Sequence, residues 1–363
     1  MGSPDIAVVG AGIVGLAAAH ELRRRGASVT VYESGQPGHG QSAGSSRIFR
    51  HAHADPRMID YAVESRKAWR RWEDEFGAPL IAADGALALG PVAPSMLAAL
   101  AEREGIEASV ADARILEERL PVLAAYEGPG LVDRSGGSID TIRVISSLTS
   151  AVGDGLVGDV VLSVCPLAGG GAEVRTANGC RSHDAAVVAA GRGTQALARG
   201  AGLSLPVETR AHVRVSFAPR ALIGSLATLQ DTSGAFGEAG VYAAAYPDRS
   251  AYGVGLAEDV PTAEDGAMLA PDGLAAHVER VIAYVKRALP GLDPDPVGYV
   301  HCWATRLPWG DDGVAVWTAG DIAFLAGHNL FKHAPALGRE LAATVLDGEV
   351  PALLRPEARF GQA

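Results

Sequence analysis

Six residues near the start of the chain, Gly10-Ala11-Gly12-Ile13-Val14-Gly15, carry the first chemical signal. Their G-x-G-x-x-G spacing follows a short apolar run, 6–9. It opens a stretch, 11–25, with Ile13, Leu16, Ala17 and Leu22 along one helical side. Glu33 ends the next apolar run, 29–32. Such a turn binds a pyrophosphate. Gly10 permits the tight turn, Gly12 lets backbone approach the phosphates, and Gly15 lets the helix pack on the sheet. The helix start, with Ile13 and Val14, offers free N–H groups and a positive dipole end. Glu33 is placed to accept hydrogen bonds from ribose hydroxyls, and its charge disfavours a 2′-phosphate. A purely structural turn would show the same six residues. The flanking strand, helix and acid favour a dinucleotide, but the motif does not choose between FAD and NAD.

Other residues could do chemistry beside it. Arg47 and Arg50 stand three positions apart. A guanidinium fork suits a carboxylate, though both could equally form structural ion pairs. The only lysines are Lys67, Lys286 and Lys332, and Lys332 follows a Gly-His loop. Cys302 sits among apolar residues, where a buried inert thiol is the ordinary reading. His51, His53, His301, His328 and His333 show no HxxxH or similar spacing, so no metal site is expected.

The elements that must position these groups follow from apolar periodicity and breakers. Strands are expected at 6–9, 29–32, 160–164, 173–176, 185–190, 314–317 and 322–325. Helices are expected from Asp55-Pro56 to about Phe76, and at 94–104, 112–119, 138–152, 271–289 and 335–346. The Gly- and Ser-rich 35–46 reads as loop, and 207–260 as antiparallel sheet. The order is βαβ, then mixed segments, then antiparallel strands, then a return to strand and helix. The fold class expected is α/β (α+β overall), a Rossmann-type domain interrupted by a substrate domain with a mixed or antiparallel sheet. The divisions expected are 1–82, 137–205 and 310–363 for the cofactor, and 83–136 and 206–309 for the substrate.

Composition narrows the classes. A net charge of -11 disfavours nucleic acid and anionic membrane surfaces as partners. Three cysteines without CxxC spacing argue against a disulfide framework, and a reducing cytoplasm fits. The first strand begins within a few residues, so no signal peptide is expected, and the apolar runs are too short to span a bilayer.

The segment 40–50, GQSAGSSRIFR, followed by His51, resembles the glycine oxidase/D-amino-acid oxidase superfamily of FAD enzymes. Within it, the segment is similar to the monomeric sarcosine oxidase branch, whose Gly/Ser-rich loop ends in S/T-R-I-x-R-H. The resemblance continues along the chain and implies FAD as cofactor, with Ser46 and Arg47 among its contacts. It places Arg47 over the flavin ring, and Arg50 with Lys332 on a substrate carboxylate. It makes 187–191, followed by Arg192-Gly193, the second FAD-contacting strand and turn, with Gly191 at its end. It puts Leu162 where the backbone reads the adenine. The segment 326–338, AGHNLFKHAPALG, is similar to the C-terminal flavin loop, here Gly327, His328, Asn329, Leu330 and Lys332. Cys302, in YVHCWAT, matches the cysteine that this branch links to the flavin 8α carbon. His301 is discounted as its activator, because neighbouring strand residues face opposite ways.

The pattern departs in places. The branch carries a lysine near 253–256, and here the residues are Gly-Val-Gly-Leu. Ala304 stands where an aromatic is expected, His53 where a Tyr is, and Ala43 where a His is. The expectation is FAD-dependent oxidation of the C–N bond of a small, carboxylate-bearing secondary or cyclic amine, bulkier than sarcosine or cyclic, to an imine, with molecular oxygen as acceptor giving hydrogen peroxide. The alternatives are an amine dehydrogenase using another acceptor, an FAD-dependent hydroxylase, and a non-catalytic flavoprotein.

Overall fold

The structure is a computed structural model that describes residues 2–263 and 266–362. Met1, Glu264, Asp265 and Ala363 fall within the expected segments 1–82, 206–309 and 310–363 and lie outside the described residues. Asp5–Val9 forms β1, Ile13–Arg24 α1, Ser28–Glu33 β2, Ser46–Phe49 β3 and Pro56–Phe76 α2.

A six-stranded sheet runs in the order Val314–Ala319, Ile322–Gly327, Ala185–Val188, β1, β2, Leu156–Gly158. All neighbours are parallel except the first pair. The central strands are apolar on both faces because helices cover one side and a small antiparallel sheet the other. Ile6, Val8, Val29 and Val31 pack with α1 and the Ala334–Asp347 helix, while Ala7, Val9 and Tyr32 face Val164 and Val174. This is the mixed α/β architecture expected from the sequence.

A nine-stranded, largely antiparallel sheet forms the second layer system. Within it Glu208–Pro219 pairs with Tyr252–Leu256 on one side and with the 15-residue strand Leu292–Arg306 on the other. The antiparallel reading of 207–260 holds, with one addition. Thr228–Asp231 also pairs in parallel with Ala86–Leu89, which ties this sheet to the preceding segment.

Local signals explain most boundaries. Asp55 accepts a hydrogen bond from the Arg57 N–H and Gly77 closes α2 at φ 65°. One expectation is corrected. The stretch 138–152 is not all helix: Gly137–Asp140 is a strand paired with β3, and the helix is Thr141–Val152. Asp140 accepts from the Arg143 N–H and is therefore the cap, not part of the helix.

Candidate active site

A cavity of about 980 Å³ opens where the two sheets meet. It runs from the 10–14 turn and Glu33 past Cys302 to Lys332. The glycines at its phosphate end behave as three different positions. Gly10 has φ 99°, a conformation that favours glycine. A Cβ on Gly15 would lie 1.9 Å from the Gly10 carbonyl oxygen, so the helix packs where no side chain fits. A Cβ on Gly12 would meet only Ser42 Oγ, at 3.3 Å, and its open side faces the cavity. Ser42 Oγ accepts from the Ile13 N–H at the helix start. The Ala11 and Gly35 N–H groups donate to the two Glu33 oxygens at 2.8 and 2.9 Å. Oε1 also accepts from the Ser34 hydroxyl, and Oε2 keeps acceptor capacity for a further donor. Leu162 is 60% exposed and lines this end, as does Gly191. A dinucleotide fits this cradle. Gly15 and Ser46 stand behind the wall instead of lining it: Gly15 packs the helix, and the Ser46 side chain is fully buried.

At the other end Arg50 and Lys332 converge on Asp312, an anion the sequence reading did not count. Asp312 Oδ1 accepts from Lys332 Nζ and Asn329 Nδ2, both at 3.0 Å. Its Oδ2 lies 2.9 Å from His53 Nδ1 and 3.4 Å from Arg50 Nη2. Arg50 also donates to the Ala52 carbonyl. Burial raises the Asp312 carboxyl, but Lys332, His53 and Arg50 outweigh it and hold the group well below the ordinary carboxylate range. Burial lowers Lys332 to about 8, against the pull of Asp312. Burial, then Arg50 and Lys332, lowers His53 to about 3, so this ring is neutral at physiological pH. With its proton on Nδ1 it donates to Asp312. Among Arg50, Lys332 and Asp312 the cations exceed the anion by one; the neighbouring Asp311, half exposed, is paired with Arg306.

Between the two ends lies a second cationic group. Arg47, on β3, donates to the carbonyls of Ser46, Gln41 and Ala43, and its guanidinium lies 5.9 Å from the Phe331 ring centre. Arg214, on Glu208–Pro219, donates to the same Ser46 carbonyl at 2.8 Å. Burial, then the neighbouring Arg214, lowers Arg47 to about 10. Cys302 lines the cavity beside them, directly across the strand pair from His212. Burial lowers His212 to about 3 and raises the Tyr242 phenol above its ordinary value. His301 shares a face with Trp303, ring centres 4.5 Å apart, on the side away from the Cys302 thiol. The 327–332 loop closes the cavity: Gly327 and His328 line it, and Thr305 Oγ1 donates to the Gly327 carbonyl. Leu330 and Asn329 line it too.

Arg214, Asp312 and Tyr242 were missed from the sequence. Arg214 did carry a signal, a lone charge inside the apolar run Val213-Arg214-Val215. Asp312 carried a weaker one, as the second acid of an Asp-Asp-Gly turn just before a strand. Among the described residues no group of His, Cys, Asp and Glu could hold a metal ion, and no helix is long and apolar enough to cross a membrane.

Comparison with known proteins places this geometry. Residues 5–344 match the family described as DAO, FAD dependent oxidoreductase. Monomeric sarcosine oxidase of Bacillus sp. (strain B-0618) is 24% identical over 215 residues, 56% of this chain and 55% of that protein. N-methyl-L-tryptophan oxidase of Yersinia pestis (strain Pestoides F) is 25% identical over 199 residues, 52% of this chain and 53% of that protein. The chain thus spans about half the length of the curated relatives it matches. Among solved structures, the open form of NikD, an unusual amino acid oxidase essential for nikkomycin biosynthesis, superposes with a TM-score of 0.83. That match covers 96% of this chain and 95% of that one at 22% identity, a likeness of fold.

Proposed function

The chain belongs to the DAO family of FAD-dependent oxidoreductases, and from that premise we propose that it oxidises the C–N bond of a small secondary or cyclic amine bearing a carboxylate. The product is the imine. FAD is held through Cys302, and molecular oxygen takes the electrons and two protons as hydrogen peroxide. The observation that carries the substrate class is the single net positive charge left by Arg50, Lys332 and Asp312 at the cavity end away from the phosphate turn. One substrate carboxylate neutralises it. A substrate without an anion leaves it uncompensated in a partly desolvated site.

When bound, FAD supplies a two-electron acceptor for a C–H next to nitrogen. The chain's own residues do the rest. The 10–14 turn and Glu33 hold the pyrophosphate and ribose, with Leu162 and Gly191 alongside. Arg50 and Lys332 grip the carboxylate and fix the orientation of the reacting carbon, which supplies much of the acceleration. His53 and His333, buried behind the cavity lining and neutral, add no charge to it, so an uncharged amine is not repelled beyond the cost of the one cation. Residues 1–82, 137–205 and 310–363 hold the cofactor in this reading, and 83–136 and 206–309 contribute the substrate side.

A second reading, a dehydrogenase passing electrons to another acceptor, is favoured by Gly253, Val254, Gly255 and Leu256, a strand with no lysine. Titrating the holoenzyme with acetate and pyrrole-2-carboxylate tests the substrate class. Both are expected to shift the flavin spectrum, and more weakly in Arg50→Ala. No spectral change with any carboxylate would overturn it.

A further inference from the structure

His328 presents a bare nitrogen to the cavity beside the groups that would grip a carboxylate. It is half-buried and lines the cavity. Its backbone N–H donates to the Gly313 carbonyl at 3.1 Å, and its ring Nδ1 lies 3.1 Å from the Asp311 carbonyl oxygen. A carbonyl oxygen only accepts, so this contact puts the ring proton on Nδ1 and leaves Nε2 with its lone pair. Among the described residues Nε2 has no hydrogen-bond partner. Unlike the ring nitrogens of His53 and His333 that are buried without a partner, it keeps accessible surface. Burial lowers the ring to about 4, against the pull of Asp311, so it is neutral at physiological pH and the tautomer persists.

The ring is held close to the cationic end. His328 stands four residues before Lys332 on one loop. Its neighbour Asn329 donates to Asp312 Oδ1, the same oxygen that accepts from Lys332 Nζ. The loop is thus fastened to 311–313 through the His328 backbone, the His328 ring and the Asn329 side chain, which fixes the bare nitrogen relative to Lys332. The other acceptors at this end are taken. Asp312 already accepts from Lys332, Asn329, His53 and Arg50. Asp311 pairs with Arg306, and the Gly327 carbonyl accepts from Thr305 Oγ1. His212 is neutral too, but it stands across the strand pair from Cys302, its ring centre 6.1 Å from that of His328. An acceptor left unpaired in a partly desolvated site is costly until a donor arrives. Where an amine nitrogen and a carboxylate share one carbon, gripping the carboxylate brings the N–H to this acceptor.

We propose that His328 Nε2 receives the N–H of the substrate amine and so selects primary and secondary amines over tertiary ones. A neutral tertiary amine has no proton to donate there. The hydrogen bond fixes the direction of the nitrogen lone pair and leaves it free to form the C=N bond. The inference deepens the proposed function and rests on one part of it, the carboxylate held by Arg50 and Lys332. It rests on neither the thioether to Cys302 nor the identity of the electron acceptor.

The test compares two ring acids of equal charge and similar size in the holoenzyme. Pyrrole-2-carboxylate carries an N–H beside its carboxylate, and furan-2-carboxylate carries an oxygen in its place. The readout is the shift in flavin absorbance as each is titrated, normalised to bound flavin. Wild type is expected to bind the pyrrole acid about tenfold tighter, the weight of one hydrogen bond made against one acceptor left unpaired. In His328→Leu the two acids are expected to bind almost equally, with the furan acid close to its wild-type affinity. His328→Gln keeps an acceptor on the side chain and is expected to restore part of the preference. A merely structural role would weaken both acids alike. Equal binding of the two acids by wild type overturns the proposal, as does a preference that survives in His328→Leu. The wild-type comparison needs no variant to fold. Binding of neither acid would contradict the carboxylate reading, and this inference with it, whereas equal binding of both leaves that reading intact.

Discussion

Arg47 and Arg214 donate to one carbonyl oxygen, that of Ser46, at 2.9 and 2.8 Å. The two side chains come from strands more than 160 positions apart in sequence, β3 and Glu208–Pro219. Like charges gathered on one carbonyl oxygen repel, by a few kcal/mol on the order of magnitude expected at an effective dielectric of about 20. The fold bears that cost in the absence of a bound anion. Arg214→Met is therefore expected to leave the thermal midpoint of flavin-free protein unchanged or higher, while lowering the midpoint of the holoenzyme. Differential scanning of both forms checks this. A large loss in the flavin-free form alone would show that Arg214 is structural.

The phosphate turn separates folding from binding. Gly12→Val places its branch toward open cavity, with only Ser42 Oγ nearby, at 3.3 Å from the Cβ. The chain is expected to fold and to bind no FAD. Gly15→Ala drives a methyl to 1.9 Å from the Gly10 carbonyl and is expected to destabilise the fold itself. Circular dichroism and flavin content together distinguish the two. Stoichiometric FAD in Gly12→Val would mean that the pyrophosphate lies elsewhere.

Cys302 is expected to carry the flavin. Acid-precipitated wild type should stay yellow and fluorescent in a denaturing gel, and its intact mass should exceed the chain by one FAD. Cys302→Ala should release the flavin on denaturation while still binding it when folded, through the turn and Glu33. Free FAD in the wild-type supernatant would contradict the covalent link and leave the cavity assignment standing.

Carboxylate binding should depend on pH through Lys332. Burial sets its ordinary value down to about 8, so the cation is present below that pH and is lost as pH rises through it. Affinity for pyrrole-2-carboxylate is expected to fall above pH 8 and to lose this fall in Lys332→Met. Arg50→Ala should weaken binding by about 1.5–3 kcal/mol, the range for a bond between charged groups. Asp312→Asn should tighten it, because it removes the internal anion that shares Arg50 and Lys332. Weaker binding in Asp312→Asn would mean that Asp312 organises the two cations more than it competes for them.

What could be read from the sequence is what local rules encode. The 10–15 turn, the Asp55 cap and the Glu33 position follow from spacing alone, and all three hold in the structure. The same kind of rule misled at 138–140. There the apolar period runs on smoothly into the helix, and only pairing with the distant β3 makes it strand. Asp312 and Arg214 escaped because their meaning is relational. Asp312 matters through Lys332, 20 positions away, and Arg214 through Ser46, 168 away. No local pattern announces which cation a carboxylate will meet. Arg50 and Lys332 read from the sequence as two cations; with Asp312 between them they retain an excess of one positive charge.

This chain is expected to move electrons from a carboxylated amine to its flavin. The direct measurement is anaerobic mixing of purified holoenzyme with N-methyl amino acids and cyclic imino acids, following flavin absorbance near 450 nm. At least one of them is expected to bleach the flavin at a rate that saturates with concentration, leaving an imine or its hydrolysis product in equal amount. Arg50→Ala should need higher concentrations to do so. Admitting oxygen should restore the colour with one peroxide per flavin, whereas recovery only with an artificial acceptor would favour the dehydrogenase reading. A flavin that no amine reduces, in protein that dithionite reduces fully, would contradict the account.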